Sequence, residues 1–501
     1  MIISSTMAEQ TKEYKGIFKS TFLFSLVQVI RLLAGIVRNK VAAMILGPSG
    51  MGVIGVYNTT INFIKTGAGL GISQSAVRDV SEANGCGDKA RFSRTISLTN
   101  RIVLFTATLG LIITIALSPF LSEWGFGNKS YTIAFVILSL AVAFDIFVDN
   151  QLAILKGMRQ LRSLAKASVF GSLAALVTGV PLFYFLGEAG IVPSIIISAF
   201  AALCVSVYYV RKIGYDRVKL STSEVAREGR SMLTMGFSLM LVSFLAVVFD
   251  YIIIAYIRQQ GGLDIIGIYT AGSTIITSYF GIVINAMTTD YYPRISAINH
   301  DDAKLKEAVN QQSEVGLILV FPLAILFLFL TRIVIKILYT DEFEAAVDYT
   351  DFAMLGTIVM ICSNSMGMIL LAKQSSKIFL ISVIGQRVLV LFAFLVLYRL
   401  WGLAGLGIAY FIHGIIHLIV VSCIMGKFYN ICFSKKVLLN LTLILVICTA
   451  AILVRRMDNI SSYFWGAIIL LSAMAYTYMY MKKSMNINPV SAIRQRIRKR
   501  K

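Results

Sequence analysis

The sequence predicts an all-α polytopic membrane protein of about fourteen transmembrane helices, built as two parallel six-helix repeats followed by a C-terminal helix pair. Three observations predict it. Of the 501 residues, 57% are hydrophobic and only 14% charged, against roughly 25% charged in soluble domains. The apolar residues form runs long enough to cross a bilayer, which takes about 20 residues. Lys and Arg are confined largely to alternate loops. With a mean hydropathy of +0.79, too few polar side chains remain to cover a water-facing surface, so lipid has to solvate most of the chain.

Segment by segment, residues 1–16 mix Glu9 and Glu13 with Lys12 and Lys15 and read as a cytoplasmic leader without a signal-peptide pattern. The candidate spans are 17–46, 51–77, 99–121, 131–155, 167–187, 190–210, 231–257, 265–289, 312–338, 350–372, 378–400, 403–426, 436–454 and 462–481. The first is long enough that it should tilt or bend. Breaker-rich turns at Leu46-Gly47-Pro48-Ser49-Gly50 and Leu186-Gly187-Glu188-Ala189-Gly190 read as tight helical hairpins. The organisation expected is a lobe at 17–210, a cytoplasmic linker at 211–230, a lobe at 231–426, an extra pair at 436–481 and a basic tail at 482–501.

Orientation follows from the basic residues. Placing the N-terminus in the cytoplasm puts 34 Lys and Arg on that side and seven on the other, so both termini are expected inside. Most of the +21 net charge is thereby topogenic, and no nucleic-acid partner is expected. The tail Ile493-Arg-Gln-Arg-Ile-Arg-Lys-Arg-Lys501 either grips anionic membrane lipids or only fixes topology. The six cysteines include no C-x-x-C, and neither a disulfide framework, a metal site nor a cofactor is expected. No loop is long enough to fold alone; the longest polar stretches, 78–98 and 211–230, leave no room for the catalytic domain of a membrane glycosyltransferase or polymerase.

An internal repeat is weak in wording but consistent in order. A shift of 212 aligns Gly55-Val56-Tyr57 with Gly267-Ile268-Tyr269, and a shift of about 215 brings Gly187-Glu188-Ala189-Gly190-Ile191 onto Gly402-Leu403-Ala404-Gly405-Leu406. Six spans per unit is an even number, so the units share one orientation, a recognised transporter architecture with its site near the midplane.

The stretch Leu46-Gly-Pro-Ser-Gly-Met-Gly-Val-Ile-Gly55, followed by a span ending Gly67-Ala-Gly-Leu-Gly-Ile72, resembles the O-antigen and lipid III translocases, the Wzx-type flippases. These belong to the multidrug/oligosaccharidyl-lipid/polysaccharide exporter superfamily. The specific wording lies in residues 17–80, the layout in the first twelve spans; the C-terminal pair departs from twelve-span members. The resemblance implies a non-enzymatic flippase of the bacterial inner membrane. It would carry undecaprenyl-diphosphate-linked oligosaccharide from the cytoplasmic to the periplasmic leaflet, with glycan polymerases or glycosyltransferases as partners. Within the superfamily, cation and multidrug export is the alternative.

A charge near the bilayer centre costs at least about 2.5–3.5 kcal/mol and marks a functional site by default. Arg31 and Arg38 share one face of the first span; Asn58, Asn62, Lys65 and Gly69 form a polar stripe on the second; Gln386-Arg387 lies mid-span in the eleventh. A diphosphate would need cations, and its sugars would need hydroxyl partners. Arg31, Arg38, Lys65 and Arg387 are therefore the expected head-group set, with Asn58 and Asn62, and also Tyr57 and Asn364, for the sugar. Arg38 and Lys40 also fit snorkelling to the interface, and Arg387 also fits an ion pair with Asp145 or Asp149. Asp145, Asp149, Asp250, His413 and His417 are the coupling or gating set, for H+ or Na+. The 212 shift maps Arg38 onto Asp250, a candidate latch; Asp290 is a further acid in the eighth span. Pro181, Pro193, Pro322, Gly67, Gly69 and Gly71 are the expected bending points.

Overall fold

Glycines, more than prolines, divide this chain into helices. The computed structural model describes residues 2–86, 88–281, 284, 291–292, 294–373, 376–457 and 460–484, with residues 2–28, 161, 242, 279, 376–381 and 460–463 as backbone only. Every regular element among them is helical: α1 (Ile2–Ala68), α2 (Ile72–Gly85), α3 (Lys89–Phe126), α4 (Thr132–Gly157), α5 (Leu161–Leu186), α6 (Ile191–Arg211), α7 (Thr222–Thr274), α8 (Asp302–Leu338), α9 (Ala346–Ala372), α10 (Ser376–Tyr429), α11 (Lys435–Arg456) and α12 (Ile460–Ser484). Asp290 lies outside the described residues.

Nine helical runs among the described residues are long and apolar enough to cross a membrane. Three of them, 162–211, 222–278 and 382–429, run 50, 57 and 48 residues, or about 70–85 Å at 1.5 Å per residue. That is more than twice a hydrocarbon core of about 30 Å, so each must fold back. Each does so at a glycine in the left-handed region: Gly187 at φ +56°, Gly262 at +77° and Gly402 at +56°. Gly47, at φ +63°, breaks α1 in the same way. A side chain there would be strained, and the following residue restarts the helix. The expected hairpins at 46–50 and 186–190 are these breaks. Pro181 and Pro322 lie inside continuous helical runs, and Pro193 occupies the first turn of α6, where the missing N–H would have had no intrahelical partner anyway.

The break glycines also set the register of the repeat. Gly47 (ψ −169°) and Gly262 (ψ −171°) are 215 residues apart, as are Gly187 (ψ −133°) and Gly402 (ψ −132°). A single shift of 215 therefore replaces the 212 read for the first part. Arg38 then corresponds to Ile253 rather than Asp250, and the latch loses its repeat argument.

The chain forms two compact units, Met1–Gly267 and Ile268–Lys501. Unit 1 includes α7 up to Gly267, and its packing shows why. Arg94 of α3 donates to both Glu224 (2.8 Å) and Glu228 (2.8 and 2.9 Å) at the start of α7. At the far end of α3, the Arg258 guanidinium of α7 donates to the carbonyl of Phe126. Between these ties, Phe63 stacks on Phe244 and Tyr251 at 5.3 and 5.1 Å. Backbones also meet directly: a Cβ on Gly52 would lie 2.0 Å from the Leu263 carbonyl oxygen, and one on Gly267 would lie 2.0 Å from that of Pro48. Since 52 and 267, and 48 and 263, are pairs 215 apart, this contact repeats itself across the duplication.

In unit 2, α8 and α9 are the most buried of the membrane-crossing runs, and the C-terminal pair docks on them through polar as well as apolar groups. The Phe329 ring lies over Gly466, where a Cβ would come within 2.2 Å. Asn440 donates to the Tyr480 hydroxyl (2.7 Å) and accepts from that of Tyr476 (2.9 Å), while Lys436 pairs with Glu314 at 3.2 Å. Arg455 bonds the fully buried Asp351 of α9 and, at 2.9 Å, the Leu328 carbonyl of α8.

Candidate functional site

The polar stripe of the second span ends at a break in the helix. α1 stops at Ala68, Leu70 and Gly71 take positive φ of 49° and 64°, and α2 restarts at Ile72. The run expected as one span, 51–77, is thus two helices. The reason is local: a Cβ on Gly71 would sit 2.1 Å from the Gly236 carbonyl oxygen, so α7 backbone occupies the space a continuous helix would need. Around the break lies a cavity of about 140 Å³ lined by Lys65, Gly69, Gly71, Ser73, Gln74 and Asp149, among others.

Lys65 Nζ is 3.3 Å from Asp149 Oδ2, both side chains being partly accessible. Asp145 lies one turn earlier on the same face of α4. The start of α2 adds the positive end of a helix dipole to the Lys65 ammonium. A helix that breaks beside a cation, with a second helix starting at the break, is an arrangement suited to an anionic group.

The other expected residues scatter. Asn58 and Asn62 are exposed on the same helix as Lys65. Arg31 is exposed, and Arg38 is half-buried, its guanidinium 6.0 Å from the Phe183 ring of α5. Asp250 is exposed on α7. Tyr57 corrects an expectation: it is 2% exposed, packed against Phe126 and Phe135 at 5.2 and 5.4 Å, and is core rather than sugar contact.

Unit 2 holds a second cavity, of about 400 Å³, within the membrane helices, its wall mostly apolar with a few polar groups. Arg387, His413, His417 and Asn364 all line it, together with Gln386. The two histidine rings are 6.4 Å apart, set by their four-residue spacing on α10. Met360, Asn364, Gly367, Met368 and Leu371 follow helical spacing along one face of α9. Arg387 therefore belongs with the two histidines, and Lys65 with Asp149.

Sequence reasoning missed the Asp351–Arg455 pair. In the orientation argument Arg455 and Arg456 are two of the seven basic residues on the outer side. The signal was present: Asp348 and Asp351 sit one turn apart, and Arg456 pairs with Asp348 at 3.1 Å and Asp351 at 3.6 Å.

A family model described as "Polysaccharide biosynthesis protein" matches residues 41–348. The lipid III flippase of Escherichia coli (strain K12) is 22% identical over 369 residues, 72% of this chain and 87% of that protein, and the lipid III flippase of Shigella flexneri matches to the same extent. Among solved structures, the inward closed lipid II flippase MurJ aligns with a TM-score of 0.72 at 14% identity, covering 92% of this chain and 98% of that one. An inward-facing MATE family multidrug transporter of the MOP superfamily aligns with a TM-score of 0.61 at 14% identity, covering 81% and 98%.

Proposed function

Because the chain belongs to the polysaccharide biosynthesis protein family, we propose that it is a flippase rather than an enzyme. It moves an undecaprenyl-diphosphate-linked oligosaccharide from the cytoplasmic to the periplasmic leaflet of the bacterial inner membrane by alternating access. Both termini are then cytoplasmic, and the glycan belongs to an O-antigen or enterobacterial-common-antigen-like pathway. The relatives named as lipid III flippases support this reading.

The observation that carries it is Lys65 at the helix break. The Lys65 ammonium, the unwound turn and the α2 N-terminus meet at one cavity, a grouping suited to an anionic guest. Asp149 pairs with Lys65; an arriving diphosphate, with about two negative charges, displaces it, because an unpaired diphosphate would be too costly to bury. Arg31 and Arg38 extend the basic path along the preceding helix, and Asn58 and Asn62 offer amides to the sugar. Asp145 and Asp149 are the proposed coupling site for H+ or Na+. Cationic drug export would call for cavities dominated by carboxylates, whereas among the described residues lining the unit 2 cavity Arg387 is the one that carries a fixed charge.

The test is genetic and chemical. Deleting the gene is expected to accumulate lipid-linked oligosaccharide on the cytoplasmic side and to remove the surface glycan. Wild type restores the glycan; Lys65→Ala, made to the same level, does not. Normal surface glycan in the deletion strain overturns the flippase reading, while full rescue by Lys65→Ala overturns the site.

A further inference from the structure

We propose that the unit 2 cavity recognises a singly charged oxyanion: the carboxylate of an acidic sugar in the transported repeat unit. The inference rests on the flippase reading and adds the chemistry of the cargo. Arg387 forms no hydrogen bond or ion pair among the described residues, whereas Arg455, Arg456, Lys436 and Lys373 of the same unit are all paired with carboxylates. A guanidinium within membrane helices without a counter-charge needs one from elsewhere.

A second observation points the same way. Gln386 is 5% exposed, lines the cavity, and its amide nitrogen is buried without a hydrogen-bond partner among the described residues. Buried donors in folded proteins are nearly always satisfied, and an orphan at a cavity wall marks a place for an acceptor. Asn364, His413 and His417 bring further polar groups to the same space.

Charge decides between a carboxylate and a diphosphate. Among the described lining residues one fixed positive charge, that of Arg387, is present, matching one carboxylate; a diphosphate would leave a negative charge uncompensated. The guanidinium fork fits a carboxylate with paired hydrogen bonds. Size and polarity decide between a bound sugar and a bare ion. The volume of about 400 Å³ falls in the roughly 300–1,000 Å³ range of small-molecule sites, far more than a halide fills. Met360, Met368 and Leu371 offer an apolar wall to the carbon face of a sugar ring.

The experiment reconstitutes the full chain in proteoliposomes with two synthetic substrates. Both are undecaprenyl-diphosphate disaccharides, one ending in glucuronate and the other in glucose. Wild type is expected to flip the acidic substrate more efficiently. Arg387→Gln lowers flipping of the acidic substrate at least about tenfold relative to the neutral one, the scale of a lost charge-assisted hydrogen-bond pair. Arg387→Lys restores most of the ratio. Gln386→Met provides a readout independent of transport: removing an orphan donor raises the unfolding temperature of the ligand-free protein, and glucuronate then stabilises it less. If wild type flips neither substrate, the flippase reading fails. If it flips both and Arg387→Gln slows them equally, Arg387 serves the shared diphosphate and only the present inference falls. A lower unfolding temperature in Gln386→Met also overturns it, because the amide would then be structural.

Discussion

Replacing Arg455 by Leu should detach the C-terminal helix pair from the rest of unit 2. Asp351 is fully buried, and one of its carboxylate oxygens already lacks a hydrogen-bond partner. Its other oxygen accepts from Arg455, which also bonds the Leu328 carbonyl. Removing one partner of such a buried pair costs about 3–5 kcal/mol, because an uncompensated charge is left behind. Arg456, 3.6 Å from the same oxygen, offers partial compensation and favours the lower end. For a unit of this size 1 kcal/mol moves the melting temperature by about 2–4 °C, so the loss is roughly 6–20 °C. The assay is thermal unfolding of the detergent-purified full chain with the other five cysteines replaced by Ser or Ala, followed by a thiol dye that reports exposure of Cys448, which is buried on α11 while Cys86, Cys204, Cys423 and Cys432 are exposed. Asp351→Leu combined with Arg455→Met should melt within a few degrees of wild type, since an apolar pair of similar volume replaces a buried ion pair at little cost. An Arg455→Leu protein melting within 2 °C of wild type would refute the reasoning.

Four other substitutions test the structure elsewhere. Gly52→Ala places a methyl about 2 Å from a backbone carbonyl that no rotamer change can move, and should cost at least about 1–3 kcal/mol; Gly35→Ala, with nothing within 4 Å, should be neutral or slightly stabilising, both read as melting temperatures. Glu224 is held down from the usual 4.5 to about 2 by hydrogen bonds from the Ser221 backbone and hydroxyl and then from Arg94. Its contribution to stability is therefore present above pH 4.5 and lost as pH falls toward 2, so the melting difference between wild type and Glu224→Gln should shrink over that window, and a difference that grows would contradict the assignment. Asp149→Asn removes the competitor for Lys65 and should tighten binding of inorganic pyrophosphate, measured by calorimetric titration; weaker binding would mean that Asp149 positions Lys65 instead of competing for it.

The membrane class, the hairpin turns and the basic residues within apolar runs were all legible in the chain. Each follows from a local property: length of an apolar run, a glycine beside a proline, a charge where hydrocarbon should be. The register of the duplication was legible only approximately, because side chains in lipid-facing helices are interchangeable while backbone breaks are not. Four glycines with matching angles settled it at 215.

Local sequence could not say which charges meet. Lys65 and Asp149 are 84 positions apart and Arg455 and Asp351 are 104 apart; Arg387 joins His413 and His417 only because α10 folds back at Gly402. Nor could it foresee that α1 stops at Ala68, since the cause is the α7 backbone at Gly236 filling the space beside Gly71. The sequence by itself determined that this protein lives in a bilayer and which residues are costly to keep there. Only the tertiary structure decided their partners, because the desolvation cost of a charge is set by its own chemistry, while its compensation depends on whatever packing brings within about 3 Å.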